Sequence, residues 1–397
     1  MPTRANSSAP PTWLTTLVAT FAAIAALLWL LPLLTTHTIL FPAGPNFEDI
    51  LVYKGRFTVY HSLKFFTSRA FSGFAYPAGA APIYEAFYKT SDPIQTYLFL
   101  ASIATILALA ATLFLLHRSG AIKLFPILLL LSFPLVFLIQ RANIEIALWI
   151  IIVLGLIAFR RNALILAAIL FGIAASIKLY PIFLLGLFLK RKQDLLAFAA
   201  GLITAILSMA AAISYAGPTF AIAAKGFFTG IDRFQDHYVD KVSQVEVLFD
   251  HSLFSPIKYW CFLNHTSPAP FTQTYYLLAG AFALLLFLRI RTLPPLNRIV
   301  FLVAAMVCLP PVSFNYTLVH LYAPLLLLLC ALATQRQRPP ASAALALALL
   351  LLLTLPLVSL NVLHALPTGP LQSIILLALL ITAALSPWPD SPAQALR

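Results

Sequence analysis

Acidic residues are what this chain has least of: 12 Asp and Glu in 397 residues, with none from Gln95 to Leu116. Charged residues of both signs amount to 9% and hydrophobic ones to 61%. A soluble domain carries about 25% charged residues, so a water-soluble fold is excluded. Glycine is also scarce, and the sequence holds neither a nucleotide phosphate loop nor a G-x-S-x-G nucleophile elbow. Energy from ATP is therefore not expected, and a substrate must bring its own activation. Cys261, Cys308 and Cys330 are scattered, and no His/Cys cluster has ligand spacing, so neither a disulfide framework nor a metal site is expected. Alternating segments of about 10 residues are missing too, which excludes an outer-membrane-type β-barrel.

What is present is a series of apolar runs, near 13–34, 95–116, 124–139, 144–159, 163–176, 179–189, 194–215, 273–289, 298–312, 317–333, 341–360 and 371–387. They predict an all-α multi-pass membrane protein of about twelve spans, a single polytopic unit over 1–397. The first run, Trp13 to Leu34, is long and lacks a small-residue cleavage site, so it reads as a retained span. With both termini cytoplasmic, most basic residues fall on inner connections, among them Arg118, Arg160, Arg161, Lys190, Arg191 and Lys192. Two long outer segments, 35–94 and 216–272, are nearly exempt from that bias. Only Arg141 and Lys178 break it on short outer connections, and nearly all acids lie outside. Polar chemistry is thus expected on the extracytoplasmic side of a cell membrane. The net charge of +13 reads as topology, anionic lipid or an anionic substrate, not nucleic acid.

The run 163–189 has basic residues at both ends that want the cytoplasm, so it must turn near Ser176–Pro181, leaving Lys178 by an outer cavity. An ammonium among apolar neighbours needs a partner or water, or it snorkels to the interface. Asn46–Tyr53 puts Glu48 and Asp49 just past the first span. If that segment is extended, the two carboxylates point to opposite faces. After it, Val52, Val59, Leu63, Phe66 and Ala70 form a helical stripe, with Lys54, His61 and Lys64 off it. The stripe predicts an amphipathic helix at the interface, either resting on lipid or acting as a lid whose cations face a phosphate. Gln140, Arg141, Asn143 and Glu145 form a polar knot between two spans, where Arg141 and Glu145 could pair four residues apart. Pro310–Thr317 makes a late outer turn with Ser313 and Tyr316, followed by His320, which packing alone could also explain.

In the order of these features the chain resembles the GT-C glycosyltransferases, and more closely glycosyltransferase family 87. The resemblance rests on Asp49 with Tyr53 four later, Tyr76–Pro77 closing the loop, Gln140 and Asn143, Gly172 before Lys178-x-x-Pro181, and Pro311-x-Ser313-Phe314. Two departures stand out: Gln140 and Asn143 are one residue further apart than in the family's Gly-Gln-x-Asn, and Asn315–Tyr316 stands where family members often have His. The resemblance implies transfer of a hexose such as mannose from a polyprenyl-phosphate donor to a glycan or glycolipid acceptor. Asp49 would be the catalytic base, and no cofactor is expected beyond the lipid-linked sugar. Lys178, Arg141 and Lys64 would meet the donor phosphate. Glu48, Tyr53, Tyr76, Gln140, Asn143, Tyr180, Ser313, Tyr316 and His320 would line the sugar and acceptor pocket. One carboxylate suffices because a departing phosphate, with a second pKa near about 6, needs little protonation, whereas glycosidases expel an alcohol and use two. The loop 216–272, with Phe227, Phe228, Asp232, His237, Tyr238 and Trp260, is expected to help choose the acceptor. A transporter or flippase, and a ligase or polymerase of lipid-linked oligosaccharide, remain as alternatives.

Overall fold

The computed structural model describes residues 10–36, 46–67, 74, 76–119, 125–335, 339–363 and 367–388. The first part of the chain forms α1 (Thr12–Thr36), three short helices α2 (Glu48–Leu51), α3 (Lys54–Phe57) and α4 (Leu63–Thr67), then α5 (Ala81–Tyr88) and α6 (Pro93–Ser119). The middle part holds α7 (Phe125–Leu130), α8 (Phe133–Arg141), α9 (Glu145–Arg160), α10 (Leu164–Ile177), α11 (Leu195–Ala216), α12 (Phe220–Phe234), α13 (Gln244–Phe249) and α14 (Ser255–Leu263). The last part holds α15 (Ala269–Ile290), α16 (Pro295–Cys308), α17 (Tyr322–Ala333), α18 (Ala341–Thr354) and α19 (Thr368–Leu385). Among the described residues no strand forms, only an isolated antiparallel bridge between Asp250 and Phe314. Hydrocarbon offers no partner for a backbone N–H or C=O, so the helix, which satisfies its own, is the natural form of such runs.

Six described helical segments are long and apolar enough to cross a membrane: Thr12–Leu31, Pro93–Phe114, Lys192–Ala216, Ala269–Ile290, Asn315–Ala333 and Thr368–Leu385. The other expected spans fall on shorter helices. Leu27, Leu107, Leu207 and Leu277 are exposed along α1, α6, α11 and α15, as befits surfaces solvated by lipid tails. Helix α16 is the opposite case, buried at every position from Leu296 to Cys308, and the bundle is built around it. Its two polar side chains close other elements. Asn297 donates to the carbonyls of Ala383 and Ser386 at 2.8 and 2.9 Å, at the end of α19. Arg298 donates to the Leu187 carbonyl at 3.0 Å.

Two expectations are corrected. The run 124–139 is two helices, because the chain turns extended at Ser132 before Pro134 starts α8. The single interfacial helix after Asp49 is instead α2, α3 and α4, interrupted at His61, whose φ of 67° is left-handed. The imidazole ties that break down through Glu85 Oε1 at 3.0 Å and the Tyr215 carbonyl at 2.9 Å. Of the expected stripe Val52 and Leu63 are exposed and Val59 and Phe66 half-buried, while Tyr53, Phe57, Tyr60 and Phe65 are buried beside it. Tyr53 and Phe57 both pack edge-to-face with Phe74, Tyr53 also with Tyr84 and Phe57 with Phe65. Ala70 lies outside the described residues.

The turn expected at Ser176–Pro181 is present. Helix α10 ends at Ile177, Lys178 is extended, and a 3₁₀ segment runs Tyr180–Phe188. Two glycines set the surrounding geometry. A Cβ on Gly79 would stand 2.5 Å from the Ser176 carbonyl oxygen, so the segment before α5 closes directly on the end of α10. A Cβ on Gly172 would stand 2.3 Å from the Gly201 carbonyl oxygen, so α10 and α11 touch backbone to backbone. Gly172→Val should therefore destabilise the bundle by at least the roughly 1–3 kcal/mol of core overpacking. Gly280→Ala, where no atom lies within 4 Å, should leave it unchanged or slightly firmer. Thermal unfolding in detergent separates the two; equal midpoints would contradict the close approach.

Candidate active site

The site is assembled where α8 gives way to α9. Ala142 adopts a left-handed conformation (φ 52°, ψ 46°), which ends α8 and leaves Asn143 buried between the two helices. The Asn143 Oδ1 accepts from the Glu145 backbone N–H at 3.0 Å and from Lys178 Nζ at 3.2 Å. Both partners are donors, which fixes the amide the other way round for its nitrogen. Nδ2 donates to Asp49 Oδ2 at 2.7 Å, with the Tyr76 hydroxyl oxygen at 3.3 Å.

On one side of this bridge stands the acid pair. The Arg141 guanidinium donates to Glu48 Oε2 at 2.7 Å and to Asp49 Oδ1 at 2.5 Å. The backbone supports it, since Phe47 N–H donates to the Gln140 carbonyl at 2.7 Å. Glu48 and Asp49 lie in the short helix α2, flanked by turns and not extended, and both carboxylates reach the same arginine. They differ in setting: Asp49 is 15% exposed and held by Arg141 and Asn143, whereas Glu48 is 41% exposed. On the other side, Lys178 is ion-paired with the fully buried Glu145. Glu145 also accepts from the Tyr180 hydroxyl, and His320 Nε2 lies 2.5 Å from its Oε1. Three tyrosine rings surround the ammonium: Tyr316 at 4.9 Å, Tyr76 at 5.4 Å and Tyr180 at 5.9 Å from ring centroid to Nζ. Each ring offers its negative face to the cation.

Most of the expected site residues therefore meet in one network. Asp49, Glu48, Arg141, Asn143, Lys178, Tyr76, Tyr180, Tyr316 and His320 are joined directly, Gln140 joins through its carbonyl, and Tyr53 packs behind Tyr76 with centroids 6.0 Å apart. The expected Arg141–Glu145 pair does not form, because the break at Ala142 turns the two side chains apart. Lys64 is exposed and makes none of the contacts that join the cluster. Ser313 belongs to a second cluster. There the buried Asp250 accepts from the backbone N–H groups of Ser252 and Ser313 and from Lys258 Nζ at 2.8 Å. Beside it, His251 meets Asn315 Oδ1, Thr317 Oγ1 and Ser313 Oγ, each at 3.1 Å. This cluster pins 216–272 to the late turn carrying Tyr316 and His320. The same loop brings Tyr238 near the acid pair. Its phenol is held above its ordinary pKa by burial first, then by Asp49, Glu246 and Glu48.

Sequence reasoning assigned no role in the site to Glu145 or to Asp250, His251 and Lys258. Glu145 had a signal, an acid at a span end with no cation in its own helix turn once Arg141 is taken. Asp250–His251 had none, since in a long polar loop they look like any solvated pair. Among the described residues no group of three or more His, Cys, Asp or Glu could hold a metal ion.

The fold and the site define an all-α membrane protein with ion-paired acids and cations gathered at one end of its helices. The chain belongs to glycosyltransferase family 87, whose model matches residues 74–310, more than half of the sequence. It is therefore a membrane glycosyltransferase. No curated protein and no solved structure matches it. Arg141, Asn143, Glu145, Lys178 and Tyr180 lie inside the matched stretch; Glu48, Asp49, Ser313, Tyr316 and His320 lie outside it.

The second cluster carries a pH signature. Burial pushes the His251 imidazole down from 6.5 to about 4, so the ring is neutral when folded. Its folded value lies below the unfolded one, so its contribution is full above 6.5 and is lost as pH falls through about 4. Glu246 has the opposite sign: burial pushes its carboxyl up from 4.5 to about 7, so stability declines as pH rises across that interval. The two intervals overlap with opposite sign, so in the unmodified protein they largely offset, and His251→Asn should leave unfolding midpoints that fall more steeply as pH rises from 4.5 to about 7. A pH series of midpoints that His251→Asn leaves unaltered across that interval would contradict the assignment.

Proposed function

We propose that the protein transfers a hexose, such as mannose, from a polyprenyl-phosphate donor to a glycan or glycolipid acceptor, by one displacement with inversion at the anomeric carbon. Asp49 is the base that takes the acceptor hydroxyl proton, and Arg141 and Lys178 stabilise the departing phosphate. The site faces the extracytoplasmic side of the cell membrane, both termini are cytoplasmic, and the chain crosses about twelve times in a GT-C-type bundle. The observation that carries this reading is Asn143, which links the Asp49–Arg141 pair to Lys178.

The resting site is nearly self-neutralised, and that has a chemical use. While the two are paired, Arg141 occupies Asp49 Oδ1. A donor phosphodiester brings one negative charge, competes for Arg141, and so frees Asp49 Oδ1 to take the acceptor proton when a substrate is in place. As the sugar–oxygen bond breaks, the phosphate gains a second charge. The cations then grip the transition state harder than the bound donor, which is the condition for lowering the barrier. Tyr76, Tyr180 and Tyr316 supply flat apolar faces beside the ammonium where a sugar ring can lie, with Tyr53 behind them. Gln140, His320, Glu48 and the aromatic residues of 216–272 complete the pocket.

Asp49→Asn should lower the transfer rate by about 10²–10⁴, the usual worth of a general base. Glu48→Gln should stay within about tenfold of the unmodified enzyme, a bound that follows from its single exposed contact. Rates of hexose transfer from polyprenyl-phosphate donor in membranes decide it. The reverse order of sensitivity would remove Asp49 from the role.

A further inference from the structure

The geometry points to Glu145 as a counter-charge that sets how tightly Lys178 holds phosphate, and so lets the polyprenyl-phosphate product leave. This inference rests on the reading of Lys178 as a phosphate ligand.

Three observations carry it. First, Lys178 is neutralised before any substrate arrives, by a carboxylate with no exposed surface. An incoming phosphate must compete with that carboxylate for the same ammonium. Second, Glu145 does not depend on Lys178 alone. The Tyr180 hydroxyl and His320 Nε2 also meet it, from the 3₁₀ segment after α10 and from the late turn. When Lys178 turns to a phosphate, Glu145 still has two partners and is not left as an orphaned buried charge. Third, Lys178 has other support for its charge. Asn143 Oδ1 and the faces of Tyr76, Tyr180 and Tyr316 remain around it wherever the carboxylate is.

A released polyprenyl monophosphate carries about −1.5 to −2 at neutral pH. Two unopposed cations in a low-dielectric site would bind it strongly and slow turnover. Glu145 offsets one of them. Its carboxylate pulls Lys178 back as the product departs and restores the resting pair. Glu145 touches no reacting atom in this account; it is a positioning residue acting through Lys178.

The test is inhibition of the purified full-length enzyme in detergent by farnesyl phosphate, a short isoprenyl monophosphate. Glu145→Gln keeps the shape and removes the charge. It should lower the inhibition constant about tenfold or more and lower kcat while leaving or lowering KM for the donor. Loss of folding alone would lower activity without tightening the inhibitor. Glu145→Asp, which withdraws the carboxylate by one methylene, should shift the constant in the same direction by a smaller factor, and it serves if the glutamine variant does not fold. An unchanged or raised inhibition constant in a folded Glu145 variant overturns the inference. Lys178→Gln separates this from the underlying reading. It should weaken farnesyl phosphate inhibition; if it does not, Lys178 is not a phosphate ligand, and the proposed donor site fails with it.

Discussion

The side-chain amide of Asn143 cannot be turned around. Its oxygen faces an ammonium and a backbone N–H, so its nitrogen must face Asp49. That single orientation joins the half-buried Arg141–Asp49 pair to the buried Lys178–Glu145 pair, whose members come from far-apart stretches of the chain. It also selects between adjacent acids, since Glu48 shares Arg141 with Asp49 but not the amide. Everything nearby serves to hold this residue in place. The left-handed Ala142 delivers it, the Phe47–Gln140 hydrogen bond brings the Asp49 segment to it, and the close approach at Gly79 sets the segment before α5 against the end of α10 that precedes Lys178.

Taking four charged groups out of water is costly unless each finds a partner of opposite sign and further hydrogen bonds. Here Arg141 faces two carboxylates, and Glu145 has Lys178, Tyr180 and His320 around it. The second cluster repeats the solution with Asp250 and Lys258, two backbone N–H groups completing the carboxylate's partners. One cluster gathers the groups proposed to be reactive, and the other fixes the late turn that carries Tyr316 and His320. Central helix α16, apolar on nearly every face, supplies the support around which both are built.

The helices were largely legible in the sequence, because a long apolar run in lipid has few alternatives to α-helix. The turn before Pro181 was legible for a different reason: basic residues at both ends of 163–189 cannot lie on one side unless the run doubles back. Legibility was weaker after Asp49. There the stripe from Val52 to Phe66 suggested one continuous helix, which in fact breaks at His61, and the rings of Tyr53, Phe57 and Phe65 form a buried cluster that its spacing did not announce. It failed wherever a partner is distant in sequence. Nothing local tells that Arg141 pairs with an acid 92 residues earlier, or that Glu145 meets a histidine 175 residues later. Spacing within one helix suggested an Arg141–Glu145 pair, and a single left-handed residue between them undid it. Asp49, Lys178 and Asn143 were nonetheless singled out from the sequence, because charge and amide groups are so rare at span ends that each one stands out.

The most direct measurement is a structure of the full-length protein in a lipid nanodisc with a non-transferable polyprenyl-phosphate hexose analogue. The account predicts the phosphate within hydrogen-bonding reach, about 2.7–3.2 Å, of Arg141 and Lys178. It also predicts Asn143 still bound to Asp49, whose carboxylate faces the anomeric carbon from the side opposite the phosphate. A phosphate seated elsewhere, with the Arg141–Asp49 and Lys178–Glu145 pairs both intact, would contradict it.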